Sequence, residues 1–243
     1  MFIPLLIMNF QTLKTNKMKN KHQVHNLVIL DESGSMSSIK SLIINGFNEL
    51  VQTVKGIEEQ FPEQEHLISM VSFNALNNKM LHFIDPVSKL DAINDSTYNP
   101  ASMTPLFDAM GFSISKLKQY LEGKGSYSVL VTILTDGEEN ASKEYTGLAI
   151  KNLVEELKQQ NWTFTYIGAD HDVEKMAASM NIHNTMSFDK NDSDIKRMFI
   201  KESQSRVRYS LNVSEGETSS DDFYATSDAD EIKKKGFWKK LIS

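Results

Sequence analysis

Between Gln23 and Val213 the chain alternates short, continuous apolar runs with stretches in which apolar residues recur every three or four positions. The runs His25 to Leu30, His66 to Phe73, Lys79 to Ile84, Tyr127 to Leu134, Thr163 to Ile167 and Thr185 to Phe188 predict strands. Leu27-Val28-Ile29-Leu30 and Val129-Leu130-Val131-Thr132-Ile133-Leu134 lack polar alternation. They predict neighbouring strands at the centre of a parallel sheet, covered on both faces. Helical stripes lie between the runs: Ile39 to Ile57, Leu106 to Leu121, Tyr145 to Leu157, Val173 to Met180, and a last one opening with Ile195, Met198 and Phe199. Methionines in these stripes read as core filler.

Strands that alternate with helices fold into an open sheet wound with right-handed crossovers. Only residues 74–78 separate the second and third runs, too few for a parallel crossover, so those two form an antiparallel hairpin at one edge. The predicted fold class is α/β: a Rossmann-like, doubly wound, mostly parallel sheet with one antiparallel edge strand and helices on both faces.

Composition narrows the picture. The 243 residues are 40% hydrophobic and 24% charged, enough for one sizeable core. Its expected boundaries are residues 23–213. Residues 1–22 form an N-terminal extension that Met8 or Met18 could shorten as alternative starts. The apolar stretch Phe2 to Met8 is far shorter than the roughly 20 residues that span a bilayer. Its lysines, Lys14 to Lys21, follow that stretch rather than precede it, unlike a secretory signal. The absence of cysteine excludes a disulfide framework, a thiol nucleophile and thiolate metal sites, and fits a reducing compartment. The expected location is cytoplasmic. A net charge of −6 argues against general nucleic-acid binding, which needs concentrated positive charge.

Residues 214–243 read as a flexible acidic linker followed by a basic-aromatic tail. The linker carries Glu215, Glu217, Asp221, Asp222, Asp228, Asp230 and Glu231; the tail runs from Lys233 through Phe237 and Trp238 to Ile242. Two readings of the tail stand: a docking peptide, with weak peripheral membrane contact as one form of it, or a solvated segment whose Trp238 folds back on the domain. A linker carboxylate such as Asp228 or Glu231 is also a candidate internal ligand for the domain's own site.

In open α/β sheets the functional crevice lies beyond the carboxyl ends of the strands. The first central strand is followed by Asp31-Glu32-Ser33-Gly34-Ser35-Met36 and the second by Thr135-Asp136-Gly137-Glu138-Glu139. Both segments fall on one rim. Asp31, Ser33 and Ser35 alternate, and Gly34 permits a tight bend, so carboxylate and hydroxyl oxygens converge with those of Asp136. Hard oxygen donors without histidine or sulfur select magnesium, manganese or calcium over zinc or copper. Each half alone has an ordinary reading, as a helix cap or a turn. Their joint placement makes a metal site.

The two segments, with Thr104 in Met103-Thr104-Pro105-Leu106 between them, resemble the metal-ion-dependent adhesion site of von Willebrand factor type A domains. That pattern is Asp-x-Ser-x-Ser, a middle-loop Thr and a later Asp. The resemblance implies a bound Mg2+ or Mn2+, with Ca2+ the less favoured ion. Ser33, Ser35 and Thr104 would hold it largely directly, and Asp31 and Asp136 directly or through water. It also implies an open coordination position filled by the Asp or Glu carboxylate of a protein partner, in assembly or regulation. One departure is the middle loop, Tyr98-Asn99-Pro100-Ala101-Ser102-Met103, where many relatives place glycines. Asp170 is expected to cap a helix starting at His171, and Glu32, Glu138 and Glu139 to be solvated loop charge.

Enzyme chemistry finds little support. Neither Ser33 nor Ser35 lies in Gly-x-Ser-x-Gly, and no phosphate loop or Gly-x-Gly-x-x-Gly follows a strand. Phosphatases of the haloacid-dehalogenase type need a second Asp where Ser33 stands. His66, His82, His171 and His183 lack zinc spacing and read as structural. The reading is a non-enzymatic binding module; the alternative is a magnesium-dependent phosphohydrolase using the same rim.

Overall fold

A computed structural model describes residues 21–217 and 221–225. The strands are β1 (His22–Asp31), β2 (Gln64–Asn74), β3 (Asn77–Pro86), β4 (Tyr127–Thr135), β5 (Trp162–Gly168) and β6 (Asn184–Ser187). The helices are α1 (Lys40–Gln60), α2 (Leu106–Leu121), α3 (Gly147–Lys158), α4 (Val173–Ser179) and α5 (Asp192–Ser214); a 3-10 turn, Gly34–Ile39, leads into α1. They build one six-stranded sheet of order β3-β2-β1-β4-β5-β6. Only the β2–β3 pair is antiparallel. The expected mostly parallel, Rossmann-like sheet with an antiparallel edge is therefore the observed one, with β1 and β4 adjacent at its centre.

Period-2 alternation divides each central strand between two cores. Val24, Val28 and Leu30 of β1 face α1 and α5, which bring Ile43, Phe47, Val51, Ile195, Met198 and Phe199. Leu27 and Ile29 face α2, α3 and α4, which bring Met110, Ile114, Val154 and Ala177. At Gly46 of α1 a Cβ would stand 2.0 Å from the Phe199 ring, so only glycine lets α5 approach this closely.

The sequence pattern understates α5, because its second half buries polar residues. Glu202 and Arg206 are both buried and pair at 3.0 Å. Arg206 also donates to Asn26 Oδ1 at 2.8 Å and to Thr132 Oγ1 at 2.6 Å, which ties the helix to β1 and β4. Tyr224 donates its hydroxyl to Glu202 Oε2 at 2.6 Å. The ion pair thus has its remaining hydrogen-bonding capacity met, the condition under which a buried pair is tolerated. With Phe223 and Tyr224 buried against the α5 core, residues 221–225 are part of the domain and not the mobile linker expected from Ser214 onward. Tyr145 precedes α3 instead of opening it, and its ring packs over Gly111. The N-terminal extension, the alternative starts and the Lys233 to Ile242 tail lie outside the described residues.

Two histidines are buried at the opposite end of the sheet from the carboxyl-terminal rim. His25 meets Tyr120 and Tyr127 edge-on, and neither of its ring nitrogens has a hydrogen-bond partner. Burial, with Lys124 and His22 nearby, pushes its pKa down to about 4. Burial, with Arg206 and His22 adding to it, pushes His66 down to about 3. A histidine whose folded pKa is depressed contributes stability that is complete above its unfolded value of about 6.5 and is lost as pH falls toward the folded value. His25→Phe keeps the ring contacts but cannot charge. The unfolding free energy of this variant in urea should gain on wild type as pH drops from 7.5 to 5, by about 2 kcal/mol; a difference independent of pH would refute the assignment.

Candidate metal centre

The parallel registers bring the strand ends to one level, with Leu30 beside Leu134 and Thr135 beside Gly168. Asp31 is the last residue of β1 and is fully buried. Its Oδ1 accepts from the Ser33 amide at 2.7 Å, and its Oδ2 accepts from Thr135 Oγ1 at 2.6 Å. Ser33 and Ser35 stand with their hydroxyls 3.0 Å apart. Ser35 donates to Asp136 Oδ1 at 2.6 Å. Gly137 closes the ring: a Cβ there would lie 3.6 Å from Thr104 Oγ1 and 3.8 Å from Ser35 Oγ. All five expected residues, Asp31, Ser33, Ser35, Thr104 and Asp136, thus belong to one cluster.

The middle loop is laced to both neighbours. Tyr98, fully buried, donates its hydroxyl to the Asp31 carbonyl at 2.7 Å. Ala101 N donates to Glu32 O at 2.9 Å, and Gly34 N to Ser102 O at 3.0 Å. Thr104 N donates to Asn140 Oδ1 at 2.9 Å, and Asn140 N returns a bond to Thr104 O at 3.1 Å. Ser102 adopts φ 67°, a left-handed conformation that glycine takes without penalty. The loop reaches its place without the glycines of the resembling pattern, held by bonds at both ends.

Three acidic residues behave differently from expectation. Glu32 is wholly buried and accepts from Ser72 Oγ at 2.8 Å, Lys79 Nζ at 2.8 Å and the Asn99 amide at 2.5 Å. It joins β2, β3 and the middle loop. Glu139 accepts from the Phe107 amide at 2.9 Å and from Ala141 and Ser142, fastening the start of α2. Asp170 does not cap a helix: Asp172 does, accepting from Lys175 N, and α4 begins at Val173. Asp170 instead pairs with Lys190 at 2.7 Å. Glu138 is exposed, as expected.

Charge is concentrated here. Burial raises the Asp31 pKa to about 6 against the hydrogen bonds from Thr135 and Ser33, and the charge of Asp136 adds to the rise. Lys190, between β6 and α5, places its ammonium 2.6 Å from Asp136 Oδ2. Burial opposes the lysine's charge, but Asp136 and Asp170 outweigh it and its pKa is raised. Asp136 Oδ2 is buried, and the ammonium at this distance balances its charge.

Among the described residues no three His, Cys, Asp or Glu side chains form a metal-ligand group. The candidate set needs none, since it combines two carboxylates with three hydroxyls. Two buried carboxylates and converging hydroxyls beside a glycine fit a hard dication by charge and donor type. Sequence reasoning missed Lys190, although Lys190 lies three residues beyond Ser187 at the end of β6, on the rim already singled out. The strand-end placement of Thr135 does not by itself reveal its bond to Asp31.

The family model of the von Willebrand factor type A domain matches residues 27–205. No curated protein matches by sequence. Among solved structures the chain is similar to proximal thread matrix protein 1 of the mussel byssus, at 12% identity and a TM-score of 0.54, covering 74% of this chain and 45% of that one. It is similar to a von Willebrand factor type A protein of Catenulispora acidiphila, at 12% identity and a TM-score of 0.52, covering 79% and 43%. The pilus adhesin SpaC of Lactobacillus rhamnosus GG, in its open conformation, aligns at 11% identity and a TM-score of 0.55, covering 78% and 30%. The chain spans less than half the length of each.

The buried partners of Glu32 give a test of how the site is held. Glu32→Ala strands Lys79 and the Asn99 amide, so it should destabilise the domain by about 3 kcal/mol in urea denaturation. A loss below about 1 kcal/mol would show that the middle loop is held by other contacts.

Proposed function

The chain belongs to the von Willebrand factor type A domain family, and on that premise we propose that it is a non-enzymatic protein-binding module working through a divalent cation at the β1–β4 rim. Asp31, Ser33, Ser35, Thr104 and Asp136 would hold the ion, with Mg2+ or Mn2+ favoured by the all-oxygen donor set. The observation that carries the reading is the convergence of Ser33, Ser35 and Asp136 through contacts of 3.0 and 2.6 Å, all oxygen donors, at the buried end of β4.

The roles of the chain's own residues follow from their bonds. Thr135 and the Ser33 amide fix both oxygens of Asp31, so that carboxylate is oriented before any ligand arrives. Such preorganisation lowers the ordering cost of binding. Ser33, Ser35 and Thr104 contribute neutral oxygens, leaving the charge balance to two carboxylates. Once bound, the dication supplies an electrophilic position that accepts an Asp or Glu carboxylate from a partner protein. Hydroxyls around it leave the incoming carboxylate less repelled than a carboxylate-rich site would. Assembly or regulation is the role such a reversible contact suits.

Partner capture should therefore depend on the ion. The full chain, immobilised and exposed to native lysate, should retain protein in Mg2+ and release it in EDTA. Thr104→Ala and Asp31→Ala, confirmed folded by circular dichroism, should lose at least about tenfold in capture. Capture indifferent to chelator and to both substitutions would sink the reading.

A further inference from the structure

We propose that Lys190 is a tethered counter-cation of the metal centre, which competes with the dication for Asp136 and withdraws onto Asp170 when the ion binds. The inference rests on the metal-binding reading above and adds a determinant of its affinity.

The geometry is that of an exchange. Lys190 Nζ stands 2.6 Å from Asp136 Oδ2 and 2.7 Å from Asp170 Oδ2. The two acceptors differ in setting: the Asp136 side chain is fully buried, whereas that of Asp170 is 58% exposed. Asp136 also touches Ser35, so it belongs to the metal cluster; Asp170 pairs outside it. Losing Asp136 to a dication would still leave the ammonium one carboxylate and access to water.

The backbone allows this motion to stay within the lysine stem. Phe188 is buried in the core and donates its amide to Gly168 O at 3.0 Å. Asn191 caps α5, accepting from Asp194 N, and the Asp189 amide donates to Asp194 Oδ2 at 2.7 Å. Residues on both sides of Lys190 are therefore pinned. On the facing loop, His171 sits between Ala169 O and the Tyr166 hydroxyl, at 2.6 and 3.0 Å, which steadies the neighbourhood of Asp170. A four-carbon side chain with rotatable donors spans the change without moving either loop.

Two other roles fit less well. As a docking point for a partner's acidic group Lys190 is poorly placed, since its side chain is 20% exposed and already engaged by two carboxylates. As a plain structural strut it would stabilise the loop equally with and without metal, and metal affinity would not respond to its removal. A positive charge a few ångströms from a bound dication instead opposes it, by a margin that removal of the charge should recover as about tenfold tighter binding.

The test is titration of the full chain with Mn2+, followed by calorimetry and by the resonance signal of free Mn2+. Lys190→Met should bind about tenfold more tightly than wild type, and Lys190→Arg, which keeps the charge, should stay within about threefold. Lys196→Met removes a lysine that pairs with Asp192 on the exposed side of α5 and should also stay within about threefold, separating local from net charge. Equal or weaker Mn2+ binding by Lys190→Met would overturn the proposal. The metal-centre reading would survive that result if wild type binds Mn2+ and Asp31→Asn does not. Absence of Mn2+ binding in both wild type and Lys190→Met would overturn the two together. Should Lys190→Met fail to fold, acetylation of Lys190 in wild type, followed by peptide mass spectrometry, takes its place: Mn2+ should speed labelling several-fold over EDTA, and an unchanged rate would overturn the proposal.

Discussion

Two carboxylates lie almost out of contact with water at the ends of two adjacent parallel strands, and much of the surrounding structure is arranged around their charge. Asp31 and Asp136 are 0% and 1% exposed. A buried carboxylate is costly unless its oxygens are met by donors or cations. Thr135, Ser33 and Ser35 supply donors, and Lys190 supplies a cation. The parallel pairing of β1 with β4 is what forces the two acids together, because both strands end at the same level. An antiparallel pair would have put them at opposite ends of the strands.

This arrangement divides labour between loops. The first loop provides alternating oxygens, the third a carboxylate and a glycine, and the middle loop is fastened to each by backbone bonds. Glu32 performs the least visible task. Its side chain points into the domain, opposite in sequence alternation to Asp31 and Ser33, and binds the β-hairpin and the middle loop from beneath. The site is thus supported by the same segment that contributes its ligands.

The central pair of strands, the antiparallel edge and the site cluster were legible in the sequence because each follows from periodicity, connection length or strand-end placement. Uninterrupted runs at Leu27 to Leu30 and Val129 to Leu134 dictated central strands, and strand ends dictated the rim. The rest was hidden for definable reasons. The second half of α5 carries only a broken apolar stripe, since its buried face mixes Tyr209 and Val213 with Glu202, Ser203, Arg206 and Ser210. Glu32 and Glu139 look like loop charge until their backbone and side-chain donors are seen. Asp170 and Lys190 are separated by a helix and a strand, and only the fold makes them a pair.

The Tyr224 to Glu202 bond changes where the domain ends. Composition places a border at Val213, just where polar, acidic sequence begins. The hydrogen-bond network crosses that border, because residues 221–225 furnish a hydroxyl to an internal ion pair and two aromatic rings to the α5 core. Excising the protein at the compositional border would cut through its interior: it would open an apolar hollow and leave Glu202 short of a donor inside the sheet-helix layer. The cooperative folding unit is therefore longer than its family match, and the last few residues that complete it are drawn from a stretch whose composition resembles that of a tether.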